Sequence, residues 1–288
     1  MGEEKIKLPG EVNYVEAYLT LRCNFACPYC INDRSKIVRV MNELPADEWA
    51  NALNRIDFGN VSLTLGGGEP TMHKEFYGLL EILRPEISVD LLTNLSFDIG
   101  EFVERVKPNR FGRGTNPAYR SIRVSYHPKK MVAEELVERV QGLQDRGFSI
   151  GIFGISHPEN SEPNMQMSEV ARRAGVYFFI KDFLGDYDGQ RFGYFKYPAG
   201  LDDVKKQAAC RTRDLLIAPD GQVYKCHRDL YSRESPVGNI TDKNFRPEFK
   251  FRDCSNYGLC NPCDVKLKTN RFLQSGNCQV EIEPKANA

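Results

Sequence analysis

Neither sign of charge prevails in this sequence: Lys plus Arg and Asp plus Glu each number 39, so the net charge is zero. A nucleic-acid surface needs clustered positive excess, so no nucleic-acid partner is expected. No apolar run is long enough to span a bilayer, and the opening MGEEKIKLPGEVNY has no apolar stretch of signal-peptide length. No membrane partner is expected, and a cytoplasmic location is. Internal repeats and low-complexity tracts are absent. Histidine is scarce, and His73, His127, His157 and His227 show no ligand spacing among themselves. Only His227, next to Cys226, is placed to tune a metal site from outside. The composition, 41% hydrophobic and 27% charged, is ordinary for a globular protein, and 288 residues suffice for one large domain and a small one.

What the sequence does have is cysteine, nine in all. In a reducing compartment these read as metal ligands or reactive thiols rather than structural disulfides. Cys23, Cys27 and Cys30 are spaced C-x₃-C-x₂-C directly after a strand-like run, Tyr14 to Leu19. Thiolates this close converge on a soft metal centre. Three ligands for a four-iron cluster leave one iron open to a small molecule. A zinc knuckle or a disulfide framework is the alternative, although zinc sites usually show paired C-x₂-C ligands and a fourth ligand.

This stretch, with Tyr29 just before its last cysteine, resembles the cluster motif of the radical S-adenosylmethionine (SAM) superfamily. The resemblance implies a 4Fe-4S cluster on Cys23, Cys27 and Cys30, SAM chelated at the open iron, and reductive cleavage to a 5′-deoxyadenosyl radical.

Further on, helical patterns at 45–58, 76–83, 97–106, 132–146 and 165–173 alternate with strand patterns at 61–65, 88–92, 121–126, 149–155 and 176–180. With the first strand this makes six βα units and a parallel sheet, an α/β fold. Six units are too few for a closed eight-stranded barrel but fit a partial (β/α)₆ barrel, which the resemblance also implies. Ligands in such folds gather at the carboxyl ends of strands. The cysteine loop, Gly66-Gly67-Gly68-Glu69-Pro70 and Thr93-Asn94 all follow strands.

The glycine loop lacks a following Gly-Lys-Ser/Thr and carries an acidic residue, so a phosphate loop is not supported. It resembles the GGE motif of the same superfamily, which implies that Gly67, Gly68 and Glu69 hold the SAM amino group. Asn94 and Ser125, at strand ends, are further candidate SAM contacts, though such positions also carry Asn and Ser as caps and turn formers. Gly151-Ile152-Phe153-Gly154-Ile155 partly resembles an adenine motif, with His157-Pro158-Glu159 where a glutamate is customary.

From Gly185 to Leu201 periodicity is lost, which divides the chain into a 1–184 core and a cysteine-rich 185–288 domain. Leu215 to Cys226 reads as a hairpin around Pro219-Asp220-Gly221. The rest is too small and polar to hold itself by core burial, so a metal staple is plausible. Cys210 and Cys226 around this hairpin, with Cys260 and Cys263 as a pair, resemble SPASM and twitch extensions, which implies one auxiliary iron–sulfur cluster on those four residues. A zinc site from Cys254, Cys260, Cys263 and Cys278 is the rival. Cys254 and Cys278 are otherwise candidate hydrogen donors to a substrate radical, or small buried hydrophobes.

The expected activity is hydrogen abstraction from a small molecule of the sugar or aminocyclitol kind, giving dehydrogenation or epimerisation. A reducing partner such as flavodoxin or ferredoxin would feed the cluster. With only 22 residues before Cys23, no N-terminal peptide-recognition domain is expected. A peptide-modifying maturase is the alternative, and a non-catalytic iron–sulfur electron carrier is the alternative of another class.

Overall fold

The computed structural model describes residues 5–27, 30, 42–112, 119–202, 204–259 and 279–285. Five βα units and a sixth strand, not the six full units expected, run through its first part. The strands are β1 (Tyr14–Thr20), β2 (Leu63–Gly67), β3 (Val89–Thr93), β4 (Ile122–Ser125), β5 (Ile150–Ile155) and β6 (Phe178–Lys181). The helices are α1 (Ala46–Leu53), α2 (Phe76–Ile82), α3 (Ile99–Arg105), α4 (Ala133–Gln144) and α5 (Ser161–Arg173). The strands pair in parallel in the order in which they occur.

Two-residue alternation divides each strand between two environments. Val15, Ala17 and Leu19 of β1, Leu63 and Leu65 of β2, and Ile122 and Val124 of β4 join the main apolar core with Trp49, Leu53, Leu79, Phe102 and Val140 from the helices. The other face mixes polar and apolar residues: Glu16, Thr64, Asp90 and Arg123 are all buried, and Tyr14 and Tyr18 pack with Leu216, Tyr224 and Tyr231. Asp90 takes an ion pair from Arg123 and a 3.1 Å hydrogen bond from the Thr64 hydroxyl. Tyr14 and Tyr18 both donate to Glu16 Oε2, at 2.9 and 3.1 Å.

Helix α1 ends earlier than its pattern predicts. Pro45 precedes it and Asp47 and Glu48 occupy its first turn, as the macrodipole favours. Ile56, expected on the helix, instead pairs in parallel with Ile6. It is buried in the same core, which is why the helical spacing included it.

The later part contains β7 (Lys206–Thr212), β8 (Asp214–Ile217), β9 (Gln222–Tyr224), α6 (His227–Ser232), β10 (Gly238–Asn239), β11 (Arg252–Tyr257) and β12 (Val280–Pro284). The expected hairpin is β8–β9, with Gly221 at φ +79° in its turn. This hairpin adds to the main sheet: Asp214 to Ile217 pair in parallel with Tyr14 to Ala17. Among the described residues the sheet has nine strands, β10-β9-β8-β1-β2-β3-β4-β5-β6. The fold is therefore α/β with a large, mostly parallel sheet. A separate antiparallel sheet, β11-β7-β12, carries its own small core of Ala208, Cys210, Tyr257, Val280 and Ile282. No helix among the described residues is long and apolar enough to cross a membrane.

Candidate functional site

At the carboxyl end of the sheet the loop after β1 lies directly on the loop after β2. Gly68 N donates to the Thr20 carbonyl at 2.9 Å, and Glu69 N donates to the Arg22 carbonyl at 2.8 Å. A Cβ on Gly67 would collide with the Thr20 carbonyl oxygen, and one on Gly68 with those of Leu21 and Arg22. Gly67 also has φ +125°, a conformation side chains disfavour. The close approach these glycines permit is thus that of the cysteine loop's own backbone. Arg22 fixes the same loop from the other side, with Nε and Nη2 donating to Glu43 at 3.0 and 2.9 Å and Nη2 to the Met72 carbonyl at 2.7 Å. Thr20 donates to the same Glu43 carboxylate.

Glu69 is 1% exposed. Its Oε1 accepts from the Thr71 amide (3.3 Å), the Thr71 hydroxyl (2.7 Å) and the Thr93 hydroxyl (2.8 Å). Its Oε2 accepts from the Asn94 amide at 2.7 Å. Burial raises its carboxyl above the usual range, and these donors oppose that shift. Glu69 therefore ties the glycine loop to the end of β3, with Oε2 keeping room for another donor.

Asn94 carries the tie onward. Its Nδ2 donates to Asn24 Oδ1 at 2.8 Å and lies 3.9 Å from Cys23 Sγ. Cys23 Sγ also accepts from the Phe25 amide at 3.4 Å. Cys27 Sγ is 3.2 Å from His127 Nδ1, and the Phe25 ring meets the His127 ring edge to face at 5.6 Å. Burial pushes the His127 imidazole down to about 4. Ser125 ends β4, half-buried. Tyr29 lies outside the described residues.

Cys23, Cys27 and Cys30 are thiols, not disulfides, and all three are half-buried. Among the described residues no three His, Cys, Asp or Glu side chains close on one point. Soft donors on one loop, with N–H groups already at sulfur, suit an iron–sulfur cluster.

The second cysteine group is drawn from three elements. Cys210 of β7, Cys226 at the start of α6 and Cys254 of β11 line one pocket with Arg228, Asp229 and Tyr257. A hydrogen bond between Cys210 and Cys254 is the largest influence on both thiols, pushing Cys210 up and holding Cys254 down to about 6. Lys225, paired with Asp229, adds a buried positive charge nearby. Cys260, Cys263 and Cys278 lie outside the described residues. His227 packs its ring against Tyr18 and Tyr231, at 6.3 and 6.2 Å.

Sequence reasoning did not find Asn24, Glu43, Thr71 or the meeting of His127 with Cys27, and it placed Thr93 at a strand end without giving it a contact. A Thr before Asn94 was visible, but nothing in the sequence couples residues 100 positions apart.

Comparison with known proteins places these features in context. The chain is 28% identical to the GTP 3',8-cyclase of Nautilia profundicola over 282 residues, 93% of this chain and 81% of that protein. It is 38% identical to the PqqA peptide cyclase of Rhizobium meliloti over 80 residues, 27% of this chain and only 20% of that protein. The fold resembles Streptococcus suis SuiB, solved bound to precursor peptide SuiA, with TM-score 0.57 and 14% identity over 81% of this chain and 63% of that one. Residues 18–113, which contain the cysteine loop, the glycine loop and Asn94, match the family model of the Radical SAM superfamily.

Proposed function

We propose that the protein is a radical SAM enzyme that removes a hydrogen atom from a small organic substrate. The observation that carries this reading is the seating of the cysteine loop on Gly67-Gly68, with Glu69 and Asn94 linking that seat to Cys23. Cys23, Cys27 and Cys30 would hold a 4Fe-4S cluster. Gly67, Gly68, Glu69, Asn94, Ser125 and Tyr29 would contact SAM, with Glu69 Oε2 the acceptor for its ammonium group. With cluster and SAM bound, the site would have the means to generate a 5′-deoxyadenosyl radical. The chain's contribution is to orient these groups at the strand ends and exclude water beneath them.

The six strands with their helices would form a partial barrel over residues 1–184, with 185–288 as a SPASM- or twitch-like domain. Cys210, Cys226, Cys260 and Cys263 remain the proposed auxiliary ligands. The contact of Cys254 with Cys210 supports Cys254 as an alternative thiolate there, leaving Cys278 as the hydrogen donor. The auxiliary cluster would take up an electron or position the substrate, and a flavodoxin or ferredoxin would reduce the first cluster.

A small substrate is supported by the relative matched nearly end to end, which is named for a cyclase acting on GTP. Dehydrogenation or epimerisation of a sugar or aminocyclitol is the proposed outcome. The PqqA peptide cyclase match supports peptide modification as the second reading.

The test is anaerobic reconstitution followed by incubation with SAM, reductant and deuterated candidates. Deuterium in 5′-deoxyadenosine from a sugar or aminocyclitol supports the first reading, and deuterium only from a peptide supports the second. Reducible clusters with intact SAM in every case would make the protein an electron carrier.

A further inference from the structure

We infer that His127 is a positioning residue for the first cysteine group, its imidazole N–H donating to the Cys27 sulfur when that sulfur ligates iron. The inference rests on the cluster assignment above. Strand alternation places the ring. The Tyr126 amide donates to the Phe153 carbonyl at 2.9 Å, so the β4–β5 ladder continues one residue beyond Ser125. Tyr126 belongs to the outer apolar core, and His127 therefore falls on the opposite face, with Arg123 and Ser125. That face carries it over the strand ends, where the cysteine loop crosses.

Three contacts hold His127 there. Its amide donates to Met131 Sδ at 3.4 Å, its carbonyl accepts from the Lys130 amide at 2.9 Å, and Phe25 meets its ring edge to face. Nδ1 is the nearer ring nitrogen to Cys27 Sγ, 3.2 Å against 3.8 Å for Nε2. With its backbone held twice and its ring packed on Phe25, the imidazole meets the sulfur at reduced entropic cost.

Hydrogen bonds to cluster sulfurs draw electron density from them and raise the reduction potential, and groups outside the ligand set orient the ligands. His127 would therefore fix the Cys27 ligand and ease reduction of the first cluster. It touches neither substrate nor SAM in this role.

The experiment compares His127→Phe, which keeps a ring beside Phe25 but has no donor, with His127→Gln, which keeps an N–H. Each full-length protein is reconstituted anaerobically, its iron counted, and the cluster whose paramagnetic signal responds to SAM titrated against potential. In the Phe variant the reduced-to-oxidised ratio at fixed potential should fall about tenfold, 59 mV for a one-electron couple. The Gln variant should stay within about threefold of wild type by the same scale. Reduced iron loading in Phe that Gln restores would equally support the donor role. Equal potentials in all three proteins, or equal iron loss in both variants, would make His127 a packing residue and overturn the inference. If wild type itself binds no SAM-responsive cluster, the cluster assignment fails instead.

Discussion

Cys23, Cys27 and Cys30 come from one loop and are held by residues far away in sequence, whereas Cys210, Cys226 and Cys254 come from separate elements and line a pocket of their own. The first group stands at the carboxyl end of a large sheet with an extensive core of its own. Its loop is kept in place by Gly67, Gly68, Glu43, Asn94 and His127. The second group sits beside a small sheet with a five-residue core that includes Cys210 itself. The contrast teaches that a metal would organise the two regions differently. In the first it would dock on a scaffold that is already folded. In the second it would be part of what holds the strands together.

The largest effect should come from emptying one group at a time. Cys23→Ala, Cys27→Ala and Cys30→Ala together should lower iron from about eight to about four per chain and abolish SAM cleavage, with the fold intact by circular dichroism. Cys210→Ala with Cys226→Ala should remove the other half and also lower the unfolding temperature. Stoichiometric zinc with only one iron cluster would break the comparison, and equal thermal effects would remove its basis.

Gly68→Ala tests the scaffold side. The added methyl meets the Arg22 and Leu21 carbonyls, and relief requires the cysteine loop to lift. Overpacking of this kind costs about 1–3 kcal/mol. The expected result is slower iron uptake at the first group and no change at the second. Equal loss at both would show a general folding defect.

The elements themselves were legible because periodicity is a local property. All six strands appear within a few residues of their patterns, and Pro219-Asp220-Gly221 turns where its residue types require. The cysteine loop and the glycine loop were legible for the same reason. What was not legible is pairing between distant segments. The hairpin was read as part of a separate domain, yet its first strand extends the main sheet beside β1. Parallel pairing leaves no turn signal, since the partners can be any distance apart in sequence. Likewise Cys254 lies opposite Ala208 and diagonal to Cys210, a placement set by register, and the His127–Cys27 contact joins two loops that meet at the strand ends.

Cys254 and Cys278 offer a smaller but sharper test. Cys254→Ala should lower auxiliary iron, while Cys278→Ala should keep iron and deoxyadenosine formation but lose product if the reaction is an epimerisation. A thiol can return hydrogen to a substrate radical because its S–H bond is weaker than most C–H bonds. Full iron and turnover in both variants would favour dehydrogenation, which needs no such donor.

The smallest effect is expected at Glu69, and it separates holding the site from binding the ligand. In Glu69→Gln one acceptor oxygen becomes an NH₂ group. If that group replaces Oε2, it faces the Asn94 amide, donor against donor. If it replaces Oε1, it faces the Thr71 amide and two hydroxyls, which can rotate to accept. The second orientation keeps the Asn94 bond, so the loop should survive at a cost of about 1–2 kcal/mol for the weakened Thr71 contact. What the amide does not supply is the negative charge that Oε2 would offer an ammonium group. Iron content should therefore match wild type, and SAM binding by calorimetry should weaken about tenfold, the effect of about 1.4 kcal/mol. Unchanged SAM affinity would leave Glu69 as a tie between the glycine loop and β3 alone. Lost iron would show instead that the first cysteine group depends on this tie, which would sharpen its contrast with the second.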